Sequence, residues 1–279
     1  MNGAFRSFLL RAAVWAPLLV LVAAWQYVGG TSNSVAFFFA TPLRVLTTAW
    51  SMIGADRELL GEALRSGGLP STSNDGLFWN SAVTAFEALA GFVVGNVLGA
   101  SLGIGLWYTQ TAARIARPYL VALGALPVFA IAPITILWFG IGIAAKVALA
   151  TLATVFLAAS QAFKGAEEVD PLLLRRFKVL GADRGVIFRR LLLPSALVWI
   201  VASLRLTIGA SLLGAFIGEF IASEQGIGRV ILRASGLYDT PRVLVGVFAM
   251  IAMALLLDAL VGSVERRLFR WRAEERPSS

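Results

Sequence analysis

Residues 167–194 read EEVDPLLLRRFKVLGADRGVIFRRLLLP, a polar and strongly basic stretch of 28 residues set between two long apolar runs. Hydrocarbon does not accept such a segment, because an Arg or Lys at the centre of a membrane helix costs roughly 2.5–3.5 kcal/mol on insertion scales. The stretch is therefore a water-facing loop of a membrane protein. Within it Gly181 interrupts a helical pattern, and Val186, Ile187 and Leu191 to Leu193 resume an apolar face that Pro194 is expected to stop. The pattern predicts two short helices joined at a Gly-centred turn, lying at the membrane surface.

Composition agrees with that placement. The 279 residues are 58% hydrophobic and 14% charged, with a mean hydropathy of +0.79, too apolar for a soluble globular domain. The expected fold is all-α, a polytopic transmembrane helical bundle of about six spans. A net charge of +8 raises the possibility of nucleic acid or an anionic surface, but the basic residues fall mostly beside the ends of apolar runs. The charge is topological: lipid is an expected partner and nucleic acid is not. With no Cys and no His, disulfides, thiol catalysis, Cys/His zinc sites and haem ligation through those side chains are excluded. Carboxylates inside apolar runs are scattered singly, so no metal site is expected. No G-x-x-x-x-G-K-[ST] occurs, hence no P-loop for ATP within this chain. No nucleophile elbow or metal-ligand helix is present either, and no catalytic residue is assigned. No internal repeat is visible, which argues against an inverted-repeat secondary transporter.

In chain order, Arg6 and Arg11 precede an apolar run from about Ala12 to Val28, with Trp15, Trp25 and Tyr27 toward its ends. It reads as a signal peptide or a first span, and a retained helix is favoured. Residues 1–30 form this N-terminal helix, and residues 31–80 an extracytoplasmic loop. In that loop Thr41-Pro42 reads as N-cap and first helical position of an amphipathic helix through Val45, Leu46, Trp50 and Ile53. A flexible loop follows from Gly67 to Gly76. Residues 81–265 form the main membrane domain, with the water-facing loop at 165–195, and residues 266–279 a basic tail.

The second span carries Gly91, Gly95, Gly99 and Gly103, one every four residues, on one helical stripe that another helix must fill. Glu87 begins the same stripe, either solvated near the interface or buried facing the bundle. The third span holds Pro127 and Pro133; each removes a backbone hydrogen bond, so the span is expected to be kinked or unwound, and is either a candidate to line the path or a structural kink without substrate contact. Lys146 opens the fourth span and is expected to reach the outer interface. In the fifth, Arg205 is expected to face the bundle or reach inward, Glu219 closes the span, and both are gate candidates. Gly226 and Gly228 allow a sharp re-entry of the chain. The last span, from about Val243 to Val264, includes Asp258.

Counting Lys and Arg orients the bundle. With both termini inside, sixteen fall in inner segments and six in outer ones, leaving Lys146 and Arg205 within spans. The bias puts both termini and the basic loop in the cytoplasm.

Three segments then carry a resemblance. Gly181, nine residues, Leu191, one residue and Leu193-Pro194 resemble the coupling loop of binding-protein-dependent ABC importer permeases, whose pattern is EAA, three residues, Gly, nine residues, Ile, one residue, Leu-Pro. Arg175-Arg176-Phe177 stand where that pattern has Glu-Ala-Ala. LPVFAIAPITILWFGIG and GEFIASEQGIGRVILRAS are similar to the nitrate, sulfonate and taurine branch. The resemblance implies a permease subunit in a bacterial inner membrane, working by alternating access. It also implies separate ATPase subunits that bind ATP and Mg, a second permease subunit paired with this one as a homodimer, and an extracytoplasmic solute-binding protein. It places Gly181 and Ala182 in the ATPase groove, with Asp183, Arg184, Arg175 and Arg176 around them. Two other readings stay open on residues alone: an ion-coupled transporter using Glu87, Arg205, Glu219 and Asp258, and a membrane scaffold without transport.

Overall fold

The structure, a computed structural model, describes residues 17, 20–30, 40–66, 75–107, 110–221 and 223–268. Arg6, Arg11, the start of the expected first span, the loop at 67–74 and the tail from 269 lie outside the described residues. The helices are α1 (Val20–Gly30), α2 (Pro42–Ser66), α3 (Leu77–Leu106), α4 (Gln110–Gly124), α5 (Val128–Phe139), α6 (Ile143–Glu167), α7 (Pro171–Val179), α8 (Arg184–Ile187), α9 (Leu193–Ile221), α10 (Ile227–Gly236) and α11 (Thr240–Leu268). Among the described residues, four helical runs are long and apolar enough to cross a membrane: α3, α6, the run from Arg184 to Ile221, and α11. The pair α4 and α5 makes a fifth if counted as one bent span.

The chain divides into two compact units. The first comprises the described residues up to Asn80 together with Val230–Ala249. Its helix α2 starts as the sequence predicts: Thr41 Oγ1 accepts from the Arg44 N–H at 3.4 Å, and Pro42 takes the first helical position. The buried side of α2, Val45 and Met52, packs with Ala40, Val230 and Val245, and Trp25 lies at the edge of that core. Asp56 reaches from α2 to the start of α3, where its carboxylate accepts from the N–H groups of Phe78 at 2.8 Å and Trp79 at 3.0 Å. A carboxylate there satisfies donors that a helix start leaves unpaired.

The second unit comprises Ser81–Arg229 and the chain from Met250 onward. Its organising contact is α6 between α3 and α9. A methyl group added at Gly95 would come within 2.6 Å of Thr154 Cβ, and Gly91, Gly99 and Gly103 meet the backbone and alanines of α6 as closely. On the other side Gly214 of α9 lies against Ala150, where an added methyl would be 2.8 Å from its Cα. The glycine stripe is thus filled within the subunit. Lipid supplies no hydrophobic force between helices, so such close van der Waals approach, aided by polar bonds, is what holds them. Two of those bonds join α9 to α3: Ser211 Oγ donates to Ala88 O at 2.6 Å, and Thr207 Oγ1 to Asn96 Oδ1 at 3.2 Å. Ala88, Ala150, Ile208, Leu212 and Ala215 form the core, with Met253, Leu257 and Val261 of α11.

Pro194 does not stop a helix. It is the second residue of α9, which continues to Ile221. The turn before it, Phe188–Leu192, is widened to π geometry, with the Leu193 N–H bonded to Phe188 O. That widening accommodates the ring and the missing N–H that would otherwise break an α-helix.

Gly99→Ala is expected to destabilise the protein by about 1–3 kcal/mol through overpacking. Gly105→Ala, on the same helix with open space around its Cα, should be neutral or slightly stabilising. Thermal unfolding of the detergent-solubilised chain compares the two.

Candidate functional site

The basic loop is built as two capped helices around a glycine. Asp170 caps α7 by accepting from Leu172 N–H at 2.8 Å, with Pro171 in the first turn. At the other end of α7 the N–H of Gly181 donates to Lys178 O at 3.1 Å and that of Ala182 to Phe177 O at 2.9 Å. This paired termination requires a left-handed residue, and Gly181 has φ +74°. Asp183 then caps α8, accepting from Val186 N–H at 2.7 Å.

The loop's surface is basic with an apolar tip. No residue of α7 is buried; Arg175, Arg176, Lys178, Arg184, Arg189 and Arg190 are exposed, and Val179 and Leu180 are 87% and 83% exposed. The acids of the segment are committed to this chain. Glu167 pairs with Arg117, Glu168 accepts from Trp199 Nε1 at 2.9 Å, and Asp170 and Asp183 serve as caps. Leu191 and Leu192 point the other way, into a small core with Ala166 and Val169 that seats the loop on the ends of α6 and α9. Leu193 is half-buried and Pro194 exposed. Gly165 allows that seating: an added methyl would come within 2.8 Å of Trp199 Cβ.

Pro127 lies at the break between α4 and α5, which meet at 93°. It stands just before the first residue of α5, where no N–H is needed, while Pro133 sits in the second turn without ending the helix. α5 packs on α6 and α9 through Ala132 and Thr135, leaving Leu126, Phe129 and Leu137 exposed.

The charged side chains inside the spans divide into separate groups. Lys146 does not reach outward. It is 3% exposed, its Nζ lies 2.5 Å from Glu87 Oε1, and it donates to Ser223 Oγ at 3.0 Å. The glycine-lined approach of α3 and α9 to α6 leaves this ammonium no route to the surface, and Gly218 of α9 lies directly over its stem. Glu87 is therefore the buried, bundle-facing carboxylate of the two alternatives. Glu219 is fully buried, accepting from Thr84 Oγ1 at 2.6 Å and from the Gly228 N–H at 2.7 Å. Arg205 is half-exposed; its guanidinium lies over Gly262 and pairs with Glu265 at 2.8 Å. Asp258 is exposed on α11. The Glu87–Lys146 partnership, with α6 as the bearer of the cation, carries no local motif; only the Gly stripe on the same face as Glu87 hinted at a close neighbour.

Residues 95–270 match the family described as binding-protein-dependent transport system inner membrane component. The chain is 29% identical over 253 residues to the putative aliphatic sulfonates transport permease protein SsuC of Bacillus subtilis, spanning 91% of this chain and 85% of that one. It is 31% identical to the riboflavin transport system permease protein RibX of Chloroflexus aurantiacus, across 92% of this chain and 88% of that one. Identity to the taurine transport system permease protein TauC of Escherichia coli is 26%, across 92% and 88%. Among solved structures, the inward-facing MetNI methionine ABC transporter superposes with a TM-score of 0.60 at 18% identity, covering 67% of this chain and 94% of that one. That likeness is one of fold.

Lys146→Met is expected to cost about 3–5 kcal/mol, because it leaves Glu87 buried without its partner. Adding Glu87→Gln should recover most of the loss. A double-mutant cycle followed by thermal unfolding measures the coupling.

Proposed function

The chain belongs to the family of binding-protein-dependent transport system inner membrane components, and from that premise we propose that it forms half of the pathway of an importer for small anionic organic solutes, aliphatic sulfonates above all. It is a multi-pass permease of the bacterial inner membrane, of a family whose ATPase is a separate subunit. The relatives named for sulfonates and taurine support the substrate class.

The observation that carries the coupling mechanism is the exposed turn at Gly181, with Val179 and Leu180 at its tip. Apolar side chains held clear of the chain on a short capped helix suit a groove in a second protein. In the proposed assembly that protein is the ATPase, which binds ATP and Mg and drives alternating access. Gly181 and Ala182 seat in its groove, and Arg175, Arg176 and Arg184 meet carboxylates on its rim. The small core under Leu191 passes the movement to α6 and α9. A second copy of this chain covers the break at Ala125 to Pro127, since irregular backbone at membrane depth requires protein or water against it. A solute-binding protein delivers substrate from outside, and lipid surrounds the remaining apolar faces.

Purification of the tagged chain from native membranes in mild detergent should bring an ATPase subunit with it, about one per copy. Gly181→Trp should abolish that recovery without preventing insertion, and Arg175→Glu with Arg176→Glu should reduce it about tenfold, a loss of roughly 1.4 kcal/mol. A chain that emerges alone and supports uptake after ATP depletion overturns the importer reading in favour of an ion-coupled one, and a chain that supports no flux favours a scaffold. Loss of growth on an alkanesulfonate as sole sulfur source, when the chain is deleted from its host, tests the substrate; unchanged growth removes that class.

A further inference from the structure

At the end of α6 and α9 remote from the basic loop, polar groups from four parts of the chain converge, with Thr84, Glu87, Lys146 and Glu219 buried. Lys146 and the loop lie at opposite ends of α6, about 30 Å apart at 1.5 Å per residue. Glu219, in the last turn of α9, is fully buried and points at the segment that follows it. The Gly228 N–H donates to its Oε2 at 2.7 Å and Thr84 Oγ1 of α3 donates to its Oε1 at 2.6 Å. Thr84 Oγ1 in turn accepts from the Ile227 N–H at 3.0 Å. The first two N–H groups of α10, which a helix start leaves without partners, are thus satisfied by one carboxyl group and one hydroxyl. Neither comes from the residues just before α10 that would normally cap it.

The turn is shaped around that carboxyl group. Gly226 has φ +111°, and a side-chain carbon there would overlap the Glu219 carboxylate; at Gly228 an added carbon would come within 2.7 Å of Glu219 Cβ. From the other side Lys146 donates to Ser223 Oγ at 3.0 Å and to Gln225 O at 3.5 Å, while its ammonium rests on Glu87. The turn is held at Ser223 and Gln225 by α6, and at Ile227 and Gly228 by Glu219 and α3. Burying two carboxyl groups and an ammonium is a poor way to gain stability, and ionisable groups inside membrane spans are rare and mark function.

We propose that Glu219 is a positioning residue for transport, fixing the turn between α9 and α10 through the acceptor geometry of its carboxyl group. It ties the far ends of α3, α6 and α9 to the start of α10, so that movement entering at the basic loop reaches that turn without slack. The role belongs to acceptor oxygens rather than to charge, because both bonds it makes to α10 and Thr84 are accepted ones. Glutamine keeps one acceptor oxygen for the Gly228 N–H, and its amide NH2 can only donate to Thr84 Oγ1, so that second bond survives with its direction reversed.

The chain has no Cys, so Glu224→Cys, at an exposed position of the turn, gives the purified chain one spin label per copy, attached before any ATPase is added. Glu219→Ala and Gly226→Ala should mobilise the label and cut transport by about tenfold or more, with the ATPase still bound. Glu219→Gln should keep the label ordered and at least about half of the transport. Should Glu219→Ala fail to insert, Thr84→Val, which keeps the side-chain volume, should mobilise the label by itself. An ordered label in the alanine or Thr84→Val variant, or a glutamine variant as mobile as the alanine one, overturns the proposal. The transport readout rests on the importer reading above, whereas the label does not. A label that follows Glu219 in a chain that transports nothing sustains the positioning role and removes the importer.

Discussion

The close seating of α6 between α3 and α9 is the constraint on which the second unit depends. Helices in hydrocarbon gain little by hiding apolar side chains from one another, so association has to come from contact. Four glycines on α3 and one on α9 bring backbones against Ala150 and its neighbours, near enough that a single added methyl group has no place. The contact also buries the face of α6 that carries Ala145 and Lys146, although Ile143 and Ala144 before them are exposed. Lys146 and Glu87 can remain there only because each holds the other and because the packing fixes their distance.

The two regions proposed to act in transport lie where that central packing ends. At one end of α6 the chain leaves through Asp170 into the basic loop and returns through a π turn into α9, with Leu191 and Leu192 anchoring the excursion. At the other end Glu219 and Lys146 gather the turn into α10. Each irregular stretch has its own compensation: the widened turn before Pro194, the positive φ of Gly181, the space at Gly226, and Ala132 and Thr135 holding α5 against its neighbours beyond the break. Irregular backbone is concentrated at the proposed ATPase contact and at the turn before α10, with regular helices between them.

Much of the fold was legible in residues alone. The charged interval between apolar runs, the four-residue glycine period and the Thr-Pro start of α2 all act through local physics, and each appears as read. Gly181 as the turn between two short helices was legible for the same reason, since a left-handed turn is a property of a few neighbouring residues. Two readings failed on tertiary grounds. Pro194 looked like a stop because a proline interrupts α geometry, but a π turn five residues long absorbs it. Lys146 looked like an interfacial residue because its stem is long, but the helices on both sides close over it.

The sequence by itself determined the class of the protein, the charged loop with its glycine turn, and the face of α3 that must meet another helix. These follow from side-chain transfer energies and helical period, which need only neighbours in the chain. The tertiary structure decided which helix fills that face, that Glu87 finds Lys146, and that Glu219 caps a helix beginning eight residues later while taking a hydrogen bond from Thr84, 135 residues away. A buried polar group is tolerable only when its partner arrives at bonding distance, and that distance is set by how whole helices pack rather than by any residue beside it.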